Sequence, residues 1–217
     1  GIDREAMLQT ILQGHGSVGR DSPITPANRF FDPELAVPTY DPEQAQALLK
    51  KAGHDRLAVD LSAADAAFAG AVDAATLFQE SASAAGIDLN VIREPDDGYW
   101  SNVWLKKPFC ACYWAGRPTE DWMFSQVYAS DSQWNDAHWK NARFDSLLLE
   151  ARAELDQGKR AEMYGEMQRI VATDGGTIIP LYANYVDARN SRIATGEQVS
   201  TANALDGWKC IERWWVA

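Results

Sequence analysis

LAVDLSAADAAFAGAVDAATLFQESASAAGIDLNV, residues 57–91, decides the fold. Leu57, Val59 and Leu61 alternate with small or polar residues, which is the period of a strand with one buried face. A helix is expected from about Phe68 to Ala85, closed by Gly86. Ile87, Leu89 and Val91 then alternate again. A further helix over about Asp97 to Lys107 leads to a third strand, Phe109 to Trp114. Strands and helices in this order argue for an α/β layer, with a mostly parallel central sheet flanked by helices.

Outward from this segment the chain stays legible. In IDREAMLQTILQG, residues 2–14, Met7, Leu8, Ile11 and Leu12 recur at helical spacing and Gly14 suits the stop. No cap is read before this helix, so the sequence is expected to begin inside a longer chain. Residues 15–38, rich in Pro and turn residues, read as an extended surface segment. Gly14, Gly16 and Gly19 formally match a dinucleotide fingerprint, but a helix precedes them and prolines follow, so that reading is rejected. In YDPEQAQALLKKAG, residues 40–53, Asp41 caps, Pro42 takes the first helical position, and Gln44 completes a capping-box-like arrangement. Ala45, Leu48, Leu49 and Ala52 make its apolar stripe. Two later helices carry packing stripes, Phe144, Leu147, Leu148, Ala151 and Leu155 on one, and Met163, Tyr164, Met167, Ile170 and Val171 on the next. GGTIIPLYANYVDARNSRI, residues 175–193, reads as one or two strands. The chain ends in WKCIERWWVA, whose Trp208, Trp214 and Trp215 need a surface to pack on.

Composition narrows the function. The formal net charge of −11 argues against nucleic acid and anionic membrane surfaces, which call for clustered Lys and Arg. No apolar run approaches the roughly 20 residues of a membrane helix. Cys110, Cys112 and Cys210 make neither a disulfide framework nor a zinc quartet. They read as small buried residues, with a bridge to Cys210 left open. His15, His54 and His138 share no ligand spacing, so no metal site is expected, and no cofactor motif is present. Nucleophile elbow, P-loop and zincin helix are absent, and a carboxylate pair for hydrolysis has no fixed spacing behind it. A redox role for Cys110 and Cys112 is equally weak.

The candidate site is CYWAGRPTEDW, residues 112–122. In open α/β sheets ligands sit beyond the carboxyl ends of the strands, and this stretch begins at such an end. A core wants its aromatic residues without the arginine, a solvated loop the reverse, and a small-molecule site wants both. Trp114 offers a face for stacking and Arg117 a charge. Arg117 also has a plainer reading as a surface salt bridge to Glu120 or Asp121. Tyr113 is expected in the core, on the opposite face of a regular strand. Trp122 and Tyr128 either line a cleft or hold a helix to the sheet. Trp134 and Asn135 form a polar-aromatic loop at the rim.

The ordered landmarks resemble the family 5 solute-binding proteins of ABC importers, the oligopeptide, dipeptide and nickel group. IDREAMLQTILQG is similar to that family's AIDR helix, and YDPEQAQALLKKAG to its Tyr-Asp-Pro helix. GIDLNV, residues 86–91, resembles its next strand, and residues 144–182 its helix pair and return strand. The resemblance covers nearly the whole chain. It implies a periplasmic-binding-protein-like lobe over residues 1–185 and a crossing tail over residues 186–217 that packs on a first lobe outside this sequence. It also places Tyr182 near the hinge. It implies reversible capture of a peptide or peptide-like molecule between two lobes, in a periplasmic or extracytoplasmic compartment, with delivery to membrane permease subunits. The missing signal peptide would belong to the longer chain. Without the first lobe, the fragment is expected to self-associate through its aromatic tail. Peptide binders of this family follow the loop Trp with an Asp three residues later, which holds the ligand's amine. Here Trp114 is followed by Arg117, a cation for an anion, with Asp121 one helical turn beyond. That leaves a non-peptide anionic or sugar-containing ligand as the alternative, with a carboxylate-dependent hydrolase behind it. Peptide, opine-like conjugate, oligosaccharide and chelate all stay open as ligands.

Overall fold

The structure, a computed structural model, describes residues 1–200 and 203–217. The chain divides into two compact units. Residues 1–20, 36–113 and 180–182 make the first, and residues 21–35, 114–179 and 183–217 the second.

The first unit contains α1 (Arg4–Ile11), β1 (Gly16–Val18), α2 (Pro42–Lys51), β2 (Leu57–Ala63), α3 (Ala71–Ala84), β3 (Ile87–Arg93) and α4 (Tyr99–Asn102). β2 and β3 pair in parallel, from Leu57 opposite Ile87 to Ala63 opposite Arg93, with α3 as the crossover. Leu61, Ala63, Ala75 and Leu89 form the core between sheet and helix. Each fully buried leucine there contributes about 1.5–3 kcal/mol. This part of the sequence reading holds.

Its neighbours are corrected. The expected third strand contracts to one parallel bridge, in which the Ser62 N–H donates to Phe109 O (3.1 Å) and the Ala111 N–H to Ser62 O (2.9 Å). The expected helix over 97–107 is only α4, because Leu105 takes a positive φ of 59° and the chain turns out of the helix. Buried Tyr99 holds the bridge, its hydroxyl donating to Ala111 O at 2.6 Å with Ser62 O at 3.3 Å. Burial pushes that phenol far above its ordinary pKa. Tyr113 is exposed rather than in the core, and its ring meets Trp100 edge-on at 5.7 Å.

α1 is capped after all. Asp3 accepts from the Ala6 N–H at 2.9 Å, a short-range signal that the sequence reading passed over. Asp41 caps α2 as expected, accepting from Gln44 N–H at 2.8 Å. The stripe of α2 stays at least partly exposed, however, with Leu48 open to solvent. The glycine run has a packing reason. β1 pairs with β4 (Leu181–Ala183), and a Cβ on Gly16 would stand 2.5 Å from the Tyr182 carbonyl oxygen.

The second unit is built on α5 (Glu120–Val127), α6 (Ala142–Ala153) and α7 (Gln157–Asp174). Asn141 and Asp156 cap the last two, accepting from Phe144 N–H (3.0 Å) and Lys159 N–H (2.9 Å). Phe124, Phe144, Leu147, Leu148, Ala151, Tyr164, Met167 and Val171 share one core. Both predicted stripes therefore pack, with one correction. Leu155 lies beyond the end of α6 and is 88% exposed. Residues 21–35 are not a surface segment either. Ser22 and Ile24 are fully buried, and Ile24 joins the helical core.

In the tail, β5 (Ile193–Ala194) and β6 (Trp215–Val216) pair antiparallel. Leu205, Asp206 and Gly207 form a left-handed turn that buries the Asp206 carboxylate. That carboxylate accepts from Ser200 N–H (2.6 Å) and Trp214 Nε1–H (3.2 Å), with Arg213 Nη1 at 3.0 Å. Trp214 is thus tied down, whereas Trp208 and Trp215 are exposed. Among the described residues no disulfide joins Cys110, Cys112 or Cys210. No helix among the described residues is long and apolar enough to cross a membrane.

The packing assigns unequal weight to two members of one predicted stripe. Phe144→Ala is expected to cost about 3–5 kcal/mol in urea unfolding. Leu155→Ala should change it by less than about 0.5 kcal/mol. Equal losses at both positions would contradict this core.

Candidate functional site

Four of the singled-out side chains come together in the second unit: Trp114, Arg117, Trp122 and Trp134. Their placement starts with a helix the sequence reading missed. Thr119 is extended and accepts from Trp122 N–H at 3.2 Å, and Glu120 and Asp121 fill the first turn of α5. A capping threonine before two acidic residues was the available signal. Capping orients the helix so that Glu120 turns inward and Trp122 outward.

Glu120 is 4% exposed and its Oε1 accepts from the Phe30 N–H at 2.7 Å. Trp122, one turn before Gln126, is 52% exposed. Between Trp122 and Trp114 stands the Arg117 guanidinium, its Cζ 5.7 Å from the Trp114 ring centroid and 6.0 Å from that of Trp122. Both distances lie within cation–π range. Arg117 Nε donates to Gln126 Oε1 at 2.6 Å, and Nη1 to the carbonyl oxygens of Ala115 (2.8 Å) and Gly116 (3.4 Å). The plain expectation of a salt bridge from Arg117 to Glu120 or Asp121 is therefore not met. Asp121 accepts instead from Arg152 Nε at 2.6 Å.

The stack continues past Trp114. Its indole N–H donates to Asp136 Oδ2 at 3.1 Å, and its ring meets Trp134 at 5.9 Å with a tilt of 42°. Trp134 is 46% exposed. Asn135, next to it, is 5% exposed and acts as the staple of its loop. Its Nδ2 donates to Trp139 O (2.6 Å) and Ala129 O (3.3 Å), and its Oδ1 accepts from Trp139 N–H (3.2 Å).

The remaining residues lie elsewhere. Tyr128 is buried against Phe124, Trp139 and Phe144, with its hydroxyl 3.0 Å from Thr177 Oγ1, so it holds the helix. Tyr182 belongs to the first unit, where its hydroxyl accepts from Arg20 N–H at 3.2 Å. Gln126 and Asp136 were missed. One is an uncharged partner nine residues from Arg117 and the other sits on a separate loop, so neither has a local pattern. Among the described residues no group of His, Cys, Asp and Glu is placed to hold a metal.

The fold is that of a periplasmic-binding-protein-like lobe. A family model described as bacterial extracellular solute-binding proteins, family 5 Middle, matches residues 1–136. The chain belongs to that family. The dipeptide-binding protein of Escherichia coli (strain K12) is 25% identical over 194 residues, which cover 82% of this chain and 35% of that protein. Di/tripeptide-binding protein 4 of Pseudomonas aeruginosa (strain UCBPP-PA14) is 26% identical over 204 residues, 88% of this chain and 37% of that one. A solved dipeptide-binding protein from Pseudoalteromonas sp. SM9913, in complex with Met-Leu, superposes with a TM-score of 0.77 at 21% identity. It covers 100% of this chain and 43% of that chain. The chain thus spans about a third of the length of the curated relatives it matches.

Staple and rim are separable by mutation. Asn135→Ala leaves Ala129 O and Trp139 O without their side-chain donor and should lower the unfolding free energy by about 1–3 kcal/mol. Trp134→Ala, at a half-exposed ring, should lower it by less than about 1 kcal/mol. The reverse order in chemical denaturation would show that Trp134 is the packing residue.

Proposed function

We propose that this chain provides the ligand-binding second lobe (residues 1–185) and crossing tail (residues 186–217) of an extracytoplasmic solute-binding protein. That protein captures a peptide or peptide-like small molecule and delivers it to an ABC permease. The observation that carries the reading is the stack Trp122, Arg117, Trp114 and Trp134, whose two end rings are half-exposed, with Glu120 and Asn135 buried beside them. Flat aromatic faces beside a fixed charge suit a small organic solute. Family membership and the dipeptide-binding names of the relatives support the peptide class. Trp114, Arg117, Trp122 and Trp134 are the residues we assign to the ligand. Tyr182 is proposed near the hinge, and Asp121, Tyr128 and Asn135 support the site from behind.

The mechanism is capture without chemistry. Glu120, Asp121 and Asp136 serve as acceptors for Phe30, Arg152 and Trp114, which is structural work. The rest of the protein supplies the facing lobe, and closure about a hinge buries the ligand. A second reading, a non-peptide anionic or sugar-containing ligand, is favoured by the charge at Arg117.

Native mass spectrometry of the full two-lobed protein, purified without denaturation, tests the proposal. A co-purified peptide or peptide-like molecule is the expected result. An opine- or sugar-containing molecule would favour the second reading, and turnover of the bound molecule would reject both. In calorimetry, Trp122→Ala should weaken the recovered ligand about tenfold or more, as expected of an aromatic anchor, without lowering the melting temperature. The exposed rings of Trp208 and Trp215 also give the 217-residue chain on its own a face for self-association. Sedimentation of a monomer at high concentration would count against that.

A further inference from the structure

We infer that Arg117 receives a carboxylate of the ligand, whose apolar part lies along Trp122 and Trp134. This rests on the solute-binding reading above and specifies the charge of what is bound. Arg117 has five N–H donors. Nε is taken by the Gln126 amide oxygen and Nη1 by two loop carbonyls. Both N–H groups of Nη2 are without a protein acceptor among the described residues.

The charge is as open as the donors. Arg117 forms no ion pair among the described residues, and the carboxylates nearest in sequence are engaged elsewhere, Asp121 by Arg152 and Glu120 by the Phe30 amide. Asp136, across the stack, accepts from Trp114. Every partner that fixes Arg117 is electrically neutral: an amide, two carbonyls and two indole faces. A chain with a formal net charge of −11 has carboxylates to spare, yet it holds this half-buried cation without one. Its Nη2 is not buried, so water satisfies that group until an arriving anion replaces the water. Immobilisation by Gln126 and the two indoles removes the ordering cost that a free arginine incurs on binding. A carboxylate oxygen accepting one N–H from Nη2 would place the adjoining carbon chain beside the exposed rings.

The test is calorimetry on the full two-lobed protein with three probes: the dipeptide Ala-Phe, its N-acetyl form, which keeps only the carboxylate, and its C-terminal amide, which keeps only the amine. The acetylated probe is expected to bind at least about tenfold more tightly than the amide, the scale of a charge-assisted bond. Arg117→Gln should abolish that preference, and Arg117→Lys should retain part of it. Equal binding of acetylated and amide probes, or affinities indifferent to Arg117→Gln, overturns the inference. Binding of Ala-Phe in that case keeps the solute-binding reading intact. Silence with all three probes overturns both. A loss of thermal stability in Arg117→Gln with unchanged probe affinities would show that the arginine only ties its loop to α5.

Discussion

A single buried carboxylate ties the second unit together. Glu120 accepts the Phe30 N–H, while Gln168, fully buried on α7, donates to Phe30 O (2.8 Å) and accepts from Asp32 N–H (3.0 Å). Residues 21–35 lie in no strand; turn bonds such as Asn28 N–H to Thr25 O (2.9 Å) satisfy part of their backbone, and side chains satisfy other groups. Two side chains from two helices do this for one residue. Phe30 is thereby fixed, its ring stacks on Tyr164 at 5.3 Å, and α5 is anchored at its first residue. Without that anchor α5, only eight residues long, would depend on its Thr119 cap and one apolar face.

The site inherits its geometry from this anchor. α5 starts at Glu120, so Trp122 and Gln126 fall on the face turned toward the 114–118 loop. Gln126 then captures Arg117, and the two indoles close on it. Each support is buried or hydrogen-bonded, and the faces of Trp122 and Trp134 are left open. Rigid supports beneath exposed aromatic faces lower the ordering cost of binding.

The parallel pair β2 and β3, the capped helix α2 and the packed faces of α6 and α7 were all legible, because period and caps are local signals. So were Trp114 and Arg117, from residue type and position in the chain order. What was not legible depends on distant partners. The burial of Ile24 is decided by helices a hundred residues away. The third strand fails because its pairing with β2 stops at one bridge, where Tyr99 takes the next carbonyl. Leu155 continues the spacing of α6 in sequence, but the helix ends at Ala153. The plainer reading of Arg117, a salt bridge to a neighbouring carboxylate, fails for a related reason. Two carboxylates stand three and four residues on, yet the helix that Thr119 starts turns one inward and gives the other to Arg152.

That last outcome explains how a loop keeps a charge available. Had Arg117 met Asp121, the pair would have been neutral and partly screened, worth little to stability and less to an incoming anion. A neutral amide at Gln126 fixes the guanidinium with comparable geometry and leaves its charge intact. Asp121, paired with Arg152 on α6, instead holds α5 in place beneath the site. The acidic residues near the loop therefore position the cation's supports without cancelling the cation. Loop conformation, more than loop composition, sets the sign of the site, because the Thr119 cap starts a helix that turns Glu120 to the Phe30 amide and Asp121 to Arg152.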